Sequence, residues 1–291
     1  MKKYIFTIIS VFLFNQLHAA PKVVVSIGPI YSIVCGLTTD VTKPYLIMPP
    51  NVSHHDYSPT PKNIMAVKDA DLLVWVSSGL ESFIPKLLEK YKSRNIEFGA
   101  LQGIKLIKDA HSHDGHSHGE YDPHLWLDPE NCILLARQVT KELIEIDPEH
   151  ADIYKKNESE VIEKLKSINN EMAAKLTDLQ KTPFIVYHEG FQYITKKFNL
   201  NQVGVLKNHP EQPMSINQYE KILALIKDQH VKTLFVEPQY NDNITAKIAE
   251  KTGINLVSLD SMGVVHFCDD ISYYIKMMQD VIKSLETGLR K

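Results

Sequence analysis

The segment "DPEHADIYKKNESEVIEKLKSINNEMAAKLTDLQ", residues 147–180, contains no glycine and no proline after Pro148. Its apolar residues recur every three or four positions, which places their side chains on one face of an α-helix. These residues are Val161, Leu165, Ile168, Met172, Leu176 and Leu179. The pattern predicts one helix of roughly 32 residues, ~48 Å long at the usual rise. A coiled-coil dimer is the alternative, but about three heptads with irregular flanking charges favour packing within one chain.

On both sides of this helix, short β-branched runs alternate with amphipathic runs, which is typical of a parallel sheet covered by helices. The predicted strands are 22–28, 43–48, 71–77, 182–188, 202–206, 232–238 and 254–260. The predicted fold is therefore α/β: two Rossmann-like lobes, each a mainly parallel sheet with helices on both faces, joined by one long helix. The predicted divisions are a signal peptide (1–19), an N-terminal lobe (20–146), the linking helix (147–181) and a C-terminal lobe (182–291).

The first twenty residues have the pattern of a secretory signal peptide. Lys2 and Lys3 supply a positive start, "YIFTIISVFLF" (4–14) is an apolar core, and Ala19 precedes a plausible cleavage point. The apolar core is too short to span a membrane, which needs roughly 20 residues. We therefore expect export, cleavage and a mature protein in an oxidising compartment.

Charge and cysteine content narrow the possible functions. The net charge is −3, from 32 basic and 35 acidic residues, which argues against a nucleic-acid-binding surface. Cys35, Cys132 and Cys268 are far apart in the sequence, and an exported chain could pair any two of them. Each lies near helical apolar positions, which favours buried free thiols instead.

Polar residues end several of the predicted buried strands. His188, Glu237 and Asp260 each close or follow a strand of the second half, while His54 and His55 follow a strand of the first half and His124 opens "HLWLD". In open α/β sheets, ligands bind beyond the carboxyl ends of the strands. Three imidazoles and one carboxylate form a suitable tetrahedral zinc site. Taken alone, each histidine is more often a surface or core histidine than a metal ligand, and Asp260 could simply cap the segment that follows it.

A second group of histidines lies in "DAHSHDGHSHGE" (109–120). These residues are His111, His113, His116 and His118. They alternate with Ser, Gly and Asp, without an apolar anchor or a periodic pattern, so we expect a loop with little preorganisation. Such a loop can bind zinc, but its ligands must lose conformational entropy, so it should bind more weakly than a cleft site. A solvated loop with incidental metal affinity is the alternative.

The phrases "SHHDYSPTP", "DPHLWLDP", "IVYHEGFQYITKKF", "LFVEPQY" and "SLDSMG" occur in this order along the chain. Their order and spacing resemble those of the zinc-uptake periplasmic binding proteins, the solute-binding subunits of metal ABC importers. The resemblance runs from about Lys22 to the C-terminus, and it includes a histidine-rich insertion before "HLW". It implies two α/β lobes, a rigid linking helix and one metal buried between the lobes.

The resemblance also implies a ligand set, carried over by matching motifs. The ligands would be His55, His124, His188 and Asp260, with His54 as an alternative to Asp260. Manganese-type relatives tend to carry a carboxylate at the position of His188, so an imidazole there favours zinc. A metal-bound histidine usually donates its other N–H to a carboxylate or carbonyl. Glu237 fits that role best, and Asp56 and Glu189 are weaker candidates.

The resulting hypothesis is a periplasmic, monomeric binding protein that captures Zn²⁺ and passes it to an ABC permease with its cytoplasmic ATPase. Manganese or iron binding by the same fold is one alternative. Surface adhesion, a task of some relatives, is another, which the absence of a lipid-attachment cysteine disfavours. A zinc hydrolase would need an open coordination position and a general base. The sequence contains no H-E-x-x-H motif that would suggest one.

Overall fold

The structure is a computed structural model that describes residues 19–49, 57–108, 120–207, 210, 212–240, 243–263 and 270–290. Several predicted features lie outside these residues: the signal peptide up to residue 18, His54, His55, Asp56, Cys268 and the four histidines of the histidine-rich segment. Among the described residues, no helix is both long enough and apolar enough to cross a membrane.

Each half of the chain forms a four-stranded parallel sheet, and the two sheets have the same strand order. In the first half the order is β2-β1-β3-β4, and in the second it is β6-β5-β7-β8. All the strand pairs are parallel. The strands are β1 (Val23–Val25), β2 (Tyr45–Leu46), β3 (Leu72–Trp75), β4 (Asn95–Glu97), β5 (Phe184–Val186), β6 (Gln202–Val205), β7 (Thr233–Val236) and β8 (Asn255–Ser258).

Nine helices in the described part of the chain surround the sheets. They are α1 (Gly28–Thr38), α2 (Pro61–Lys68), α3 (Ile84–Tyr91), α4 (Pro129–Ile146), α5 (Ala151–Leu176), α6 (Gln192–Lys197), α7 (Ile216–Asp228), α8 (Asn243–Thr252) and α9 (Ser272–Leu289). Helix α4 is capped at its start, since Asp128 accepts a hydrogen bond from the backbone N–H of Glu130 and Pro129 occupies the first turn. The predicted two-lobe α/β fold is therefore confirmed.

The long helix is α5, and it is shorter than the sequence pattern predicts. It has 26 residues, because the backbone is a 3₁₀ turn before it (Pro148–His150) and another after it (Thr177–Leu179). All six residues of the predicted apolar stripe are buried. Helix α5 packs against α1 and α4 of the first half and against α9 of the second.

One apolar core runs through this helical layer and joins the two halves. It includes Val25 and Val74 from the first sheet, Leu165 from α5, and Phe184 and Phe235 from the second sheet. Close-packed interiors resist continuous deformation because moving one side chain displaces its neighbours. The packing therefore opposes a wide hinge motion between the halves.

Two elements of the structure, β4 and α2, are not predicted by the sequence patterns. Strand β4 has three residues, of which only Ile96 is buried, so it carries no apolar run to recognise. Helix α2 begins directly after the proline-rich stretch "PPNVSHHDYSPT" (49–60), where the sequence pattern does not predict a helix. Its start has a recognisable signal, since Thr60 and Asn63 form a capping box and Pro61 lies in the first turn.

The three cysteines do not share one state. Cys132 is a buried free thiol, as expected. Cys35 is disulfide-bonded, so the preference for a free thiol is wrong at this position. An oxidising compartment is where disulfides persist, and the bond at Cys35 agrees with the expectation of export.

A fully buried carboxyl group lies at the carboxyl ends of β1 and β3. Glu81 accepts hydrogen bonds from the Ser26 hydroxyl and from the backbone N–H groups of Val76 and Ser77. Burial raises the pKa of Glu81 from 4.5 to about 7, against the opposing effect of these hydrogen bonds. The folded state thus holds this proton more tightly than the unfolded state does.

Because the folded-state pKa is raised, the contribution of Glu81 to stability is lost as pH rises from about 4.5 to about 7. In the wild-type protein, the free energy of unfolding should fall by roughly 3 kcal/mol over this pH range. We predict that this fall is absent in Glu81→Gln, because glutamine does not titrate. Urea unfolding at several pH values measures the slope. Glu89→Gln, an exposed carboxyl on α3, should keep the wild-type slope. Identical slopes for Glu81→Gln and wild type would contradict the assignment.

Candidate metal centre

The parallel strands of the second sheet bring the predicted polar residues to one edge. His188 lies two residues after β5, Glu237 directly follows β7, and Asp260 lies two residues after β8. Strands β5, β7 and β8 are consecutive neighbours in the sheet. Their carboxyl ends therefore meet at the same edge, where ligands bind in open α/β sheets.

Helix α6 holds a segment of the first half against this edge. The Tyr193 hydroxyl donates to the backbone carbonyl of Asp122, 3.0 Å away, and Lys197 Nζ donates to Asp128 Oδ1 at 2.6 Å. His124 lies between these two contact points, and α6 begins four residues after His188. These contacts explain why two histidines 64 residues apart meet.

The imidazole Nε2 atoms of His124 and His188 face each other at 3.4 Å. The rings make an edge-on contact, with centroids 5.2 Å apart. Both side chains are almost fully buried, with exposed fractions of 2% and 3%. The pair is thus shielded from bulk water, which would otherwise separate the two nitrogens.

Each ring has a carboxylate on its other nitrogen. His124 Nδ1 lies 2.7 Å from Asp122 Oδ1, and His188 Nδ1 is hydrogen-bonded to Glu237 Oε1. A carboxylate accepts the Nδ1 proton of a neutral imidazole and so leaves the lone pair on Nε2. The two lone pairs then point at one another and require a cation or a proton between them.

The spacing fits a zinc ion. Tetrahedral Zn²⁺ binds imidazole nitrogen at about 2.0–2.1 Å, which separates two such nitrogens by about 3.3 Å. The separation here is 3.4 Å. The two histidines could therefore share one zinc ion almost without moving. Carboxylates behind metal-bound imidazoles also fix the ring orientation and raise ligand basicity.

Protons compete with a metal for this pair. Burial lowers the pKa of His188, but the charge and hydrogen bond of Glu237 outweigh burial and raise the pKa above 6.5. Zinc binds the neutral ring, so metal binding must release a proton wherever His188 is protonated.

Asp260 is near the pair but does not join it. Its Oδ1 accepts hydrogen bonds from Gln239 Nε2 at 2.6 Å and from the backbone N–H of Met262 at 2.9 Å. Among the described residues, the one group of three ligand atoms that all lie within 4.8 Å of one another is Asp147, Glu149 and His150. The structure thus brings together His124, His188 and Glu237, while the Asp260 carboxylate is held by Gln239 and by the backbone of Met262.

The group formed by Asp147, Glu149 and His150 has a structural explanation. Asp147 accepts hydrogen bonds from His150 Nδ1 at 2.9 Å and from the Tyr154 hydroxyl at 2.6 Å. These contacts order the turn that precedes α5. We therefore assign this group to the ordering of that turn.

Two residues of the centre are missing from the sequence analysis. Asp122 lies two positions before His124 in "DPHLW", and this spacing alone does not reveal its contact with the His124 ring. Gly190 follows His188 in "HEG". A β-carbon at Gly190 would lie 2.6 Å from His188 Cε1, 2.8 Å from His188 Nε2 and 3.3 Å from His124 Nε2. Residue 190 must therefore be glycine, because its backbone lies so close to the two Nε2 atoms that a β-carbon would overlap the His188 ring.

The family model described as zinc-uptake complex component A, periplasmic (ZnuA), matches residues 23–288 of the chain. The chain belongs to the ZnuA family. The high-affinity zinc uptake system protein ZnuA of Brucella suis biovar 1 is 30% identical over 307 aligned residues, which cover 92% of this chain and 92% of that protein.

Solved structures show the same architecture. The AdcAII protein of Streptococcus pneumoniae superposes with a TM-score of 0.78 at 28% identity, over 93% of this chain and 99% of that chain. The laminin-binding protein Lmb of Streptococcus agalactiae has a TM-score of 0.78 at 26% identity, with the same coverage, and is described as a bifunctional protein with adhesin and metal transporting activity.

These relatives decide between some of the alternatives. ZnuA family members are zinc-binding solute-binding proteins of ABC importers rather than enzymes, so the zinc hydrolase alternative is excluded. The predicted family, the two-lobe fold and zinc as the bound metal are confirmed. The ligand set stays a prediction.

Substitution of Gly190 tests whether the space between the nitrogens is the metal position. Gly190→Ala changes none of the proposed ligand residues. We predict that it nevertheless abolishes tight zinc binding, because the added methyl group overlaps the His188 ring and must displace it. Competition with a chromophoric chelator measures the affinity. Gly253→Ala is the control, since no atom lies within 4 Å of a β-carbon at that position and its positive φ makes it the more strained backbone change. Wild-type zinc affinity in Gly190→Ala would show that the metal binds elsewhere.

Proposed function

We propose that this ZnuA-family protein captures Zn²⁺ in a cleft between its lobes and delivers it to a membrane ABC permease with its cytoplasmic ATPase. The ligands would be His55, His124, His188 and Asp260. The zinc ion is cargo, and no reaction is catalysed. The observation that supports the proposal best is the pair of buried Nε2 atoms 3.4 Å apart, each with a carboxylate behind its ring.

The donor set accounts for the choice of metal. Imidazole is a borderline ligand that suits zinc, whereas manganese prefers carboxylate and carbonyl oxygens. At His188 the chain offers an imidazole whose orientation is fixed by Glu237. Manganese binding would leave the imidazole at this position unexplained.

The family and the fold support the remaining assignments. We place a signal peptide at 1–19, an N-terminal lobe at 20–146, the linking helix at 147–181 and a C-terminal lobe at 182–291. Helix α5 with its two flanking turns falls within the proposed linker. Export to the periplasm follows from the signal-like start and agrees with the periplasmic family description. We expect the mature protein to be a monomer.

The histidine-rich segment would be an accessory zinc site. His111, His113, His116 and His118 could bind zinc through two or three imidazoles at a time, and the sequence pattern leads us to expect a lower affinity than at the cleft. Its role would be to capture zinc or to pass it to the cleft. His54 is the alternative fourth ligand, a role open to it because Asp260 Oδ1 already has two hydrogen-bond donors.

Metal titration of residues 20–291 tests this proposal. We predict one tight zinc ion per chain, counted by native mass spectrometry, and weaker binding of manganese, measured by calorimetry. His188→Ala should lower zinc affinity by more than the roughly 10- to 100-fold typical of losing an outer partner, because a direct ligand is removed. Deletion of 110–119 should leave the tight site intact.

His150→Ala is the matched control, because it removes an imidazole from the only other described cluster with suitable spacing. It should keep the wild-type affinity and stoichiometry. Tight zinc binding that survives His188→Ala would refute the cleft site. Loss of tight binding on deletion of 110–119 would instead make the histidine-rich segment the principal site.

A further inference from the structure

A buried tryptophan links the first-half histidine to the second half of the chain. Trp126 lies two residues after His124, and its exposed fraction is 0%. Its ring centroid is 5.2 Å from that of His124. Its indole N–H donates to the backbone carbonyl of Ser261 at 2.7 Å. Ser261 directly follows Asp260, so this bond joins the His124 segment to the loop that carries another proposed ligand.

Ser261 continues the connection toward His188. Its hydroxyl is buried and donates to Glu237 Oε2 over 3.5 Å, a long hydrogen bond. The other carboxylate oxygen of Glu237 is bonded to His188 Nδ1. The contacts therefore form a closed ring that runs through His124, Trp126, Ser261, Glu237 and His188, and that closes at the facing Nε2 atoms.

The members of this ring have little freedom to separate. Leaving a buried N–H without a partner costs about 1–3 kcal/mol, and Trp126 and Ser261 are both fully shielded from water. The indole bond is also a contact between the halves of the chain, since Trp126 precedes α4 and Ser261 follows β8. A motion that moves the His124 segment away from the 260–262 loop must distort or break this bond.

We infer that Trp126 and Ser261 are positioning residues that set the separation of the two zinc-binding histidines and slow metal release. The inference rests on the proposed zinc site at His124 and His188. Trp126 restrains the His124 segment against the 260–262 loop, and Ser261 restrains the Glu237 carboxylate that orients His188. Neither residue needs to touch the metal.

Two substitutions remove single hydrogen bonds from the ring. Trp126→Phe removes the indole N–H and keeps an aromatic side chain, and Ser261→Ala removes the hydroxyl but keeps the carbonyl that Trp126 uses. The control is Tyr274→Phe. The Tyr274 hydroxyl is buried and donates to the Trp126 carbonyl at 2.8 Å, so its loss removes a comparable contact between the halves and leaves the indole and Ser261 hydroxyl bonds of the ring in place.

The measurements are the zinc release rate in a chelator chase and the visible spectrum of the Co²⁺-loaded protein. Outer partners of metal ligands typically contribute 10- to 100-fold, and we expect release about tenfold faster in Trp126→Phe and Ser261→Ala. We also expect their Co²⁺ spectra to change because the ligand angles change. Tyr274→Phe should lower thermal stability yet keep the wild-type release rate and spectrum.

The outcomes separate this inference from the proposed function. If His188→Ala leaves the zinc affinity unchanged, the proposed site itself fails. If His188→Ala abolishes binding while Trp126→Phe and Ser261→Ala release zinc at the wild-type rate, the site stands and the positioning roles are refuted. Equal acceleration by Tyr274→Phe would also refute them, since any loosening of the halves would then suffice. Because Ser261→Ala removes only one hydroxyl, it keeps the test valid if Trp126→Phe folds poorly.

Discussion

The site depends on two buried imidazole rings whose Nε2 atoms face each other at 3.4 Å. His124 and His188 come from different halves of the chain, and each has a carboxylate fixed to its outer nitrogen. Without a metal ion or a proton between the Nε2 atoms, this arrangement would place two acceptors in contact, which is unfavourable in a buried setting. The surrounding packing must therefore hold the rings in place, and a zinc ion bound at the proposed site would relieve the repulsion. Part of the binding energy would then come from an arrangement that is formed before the metal binds.

The fold provides that stiffness through its helical layer. Helix α5 contacts helices of both halves, and one core passes from the first sheet to the second. Much of this was predictable, because the stripe of α5 and the buried strands leave periodic apolar patterns. Strand β4 was not, since three residues with one buried side chain carry no period. The capping box of α2 was a usable signal. The ends of α5 also differ from those that the sequence pattern predicts, because apolar spacing does not distinguish a 3₁₀ turn from an α-helix.

The candidate site was predictable to the extent that strand order determines it. His188 and Glu237 end neighbouring parallel strands, and such ends meet whatever the loops do. Asp122 and Gly190 depend on local distances of a few ångströms, which residue spacing does not determine. The same limit applies to Trp126, whose partner Ser261 is 135 residues away. Contacts that depend on strand order can be predicted from a sequence, whereas contacts that depend on the path of a loop cannot.

Capture and release place opposite demands on this site, and the loop after β8 is where they can be reconciled. The histidines are buried and held by carboxylates, whereas Asp260 is only partly buried and its Oδ1 already accepts two hydrogen bonds. If Asp260 binds zinc through Oδ1, the metal bond competes with these two hydrogen bonds, which can re-form when the metal leaves. The continuous core disfavours opening by a hinge. Moving residues 260–262 instead requires loss of the bond between Trp126 and Ser261, so a partner that displaces this loop would release both the carboxylate and the restraint on His124.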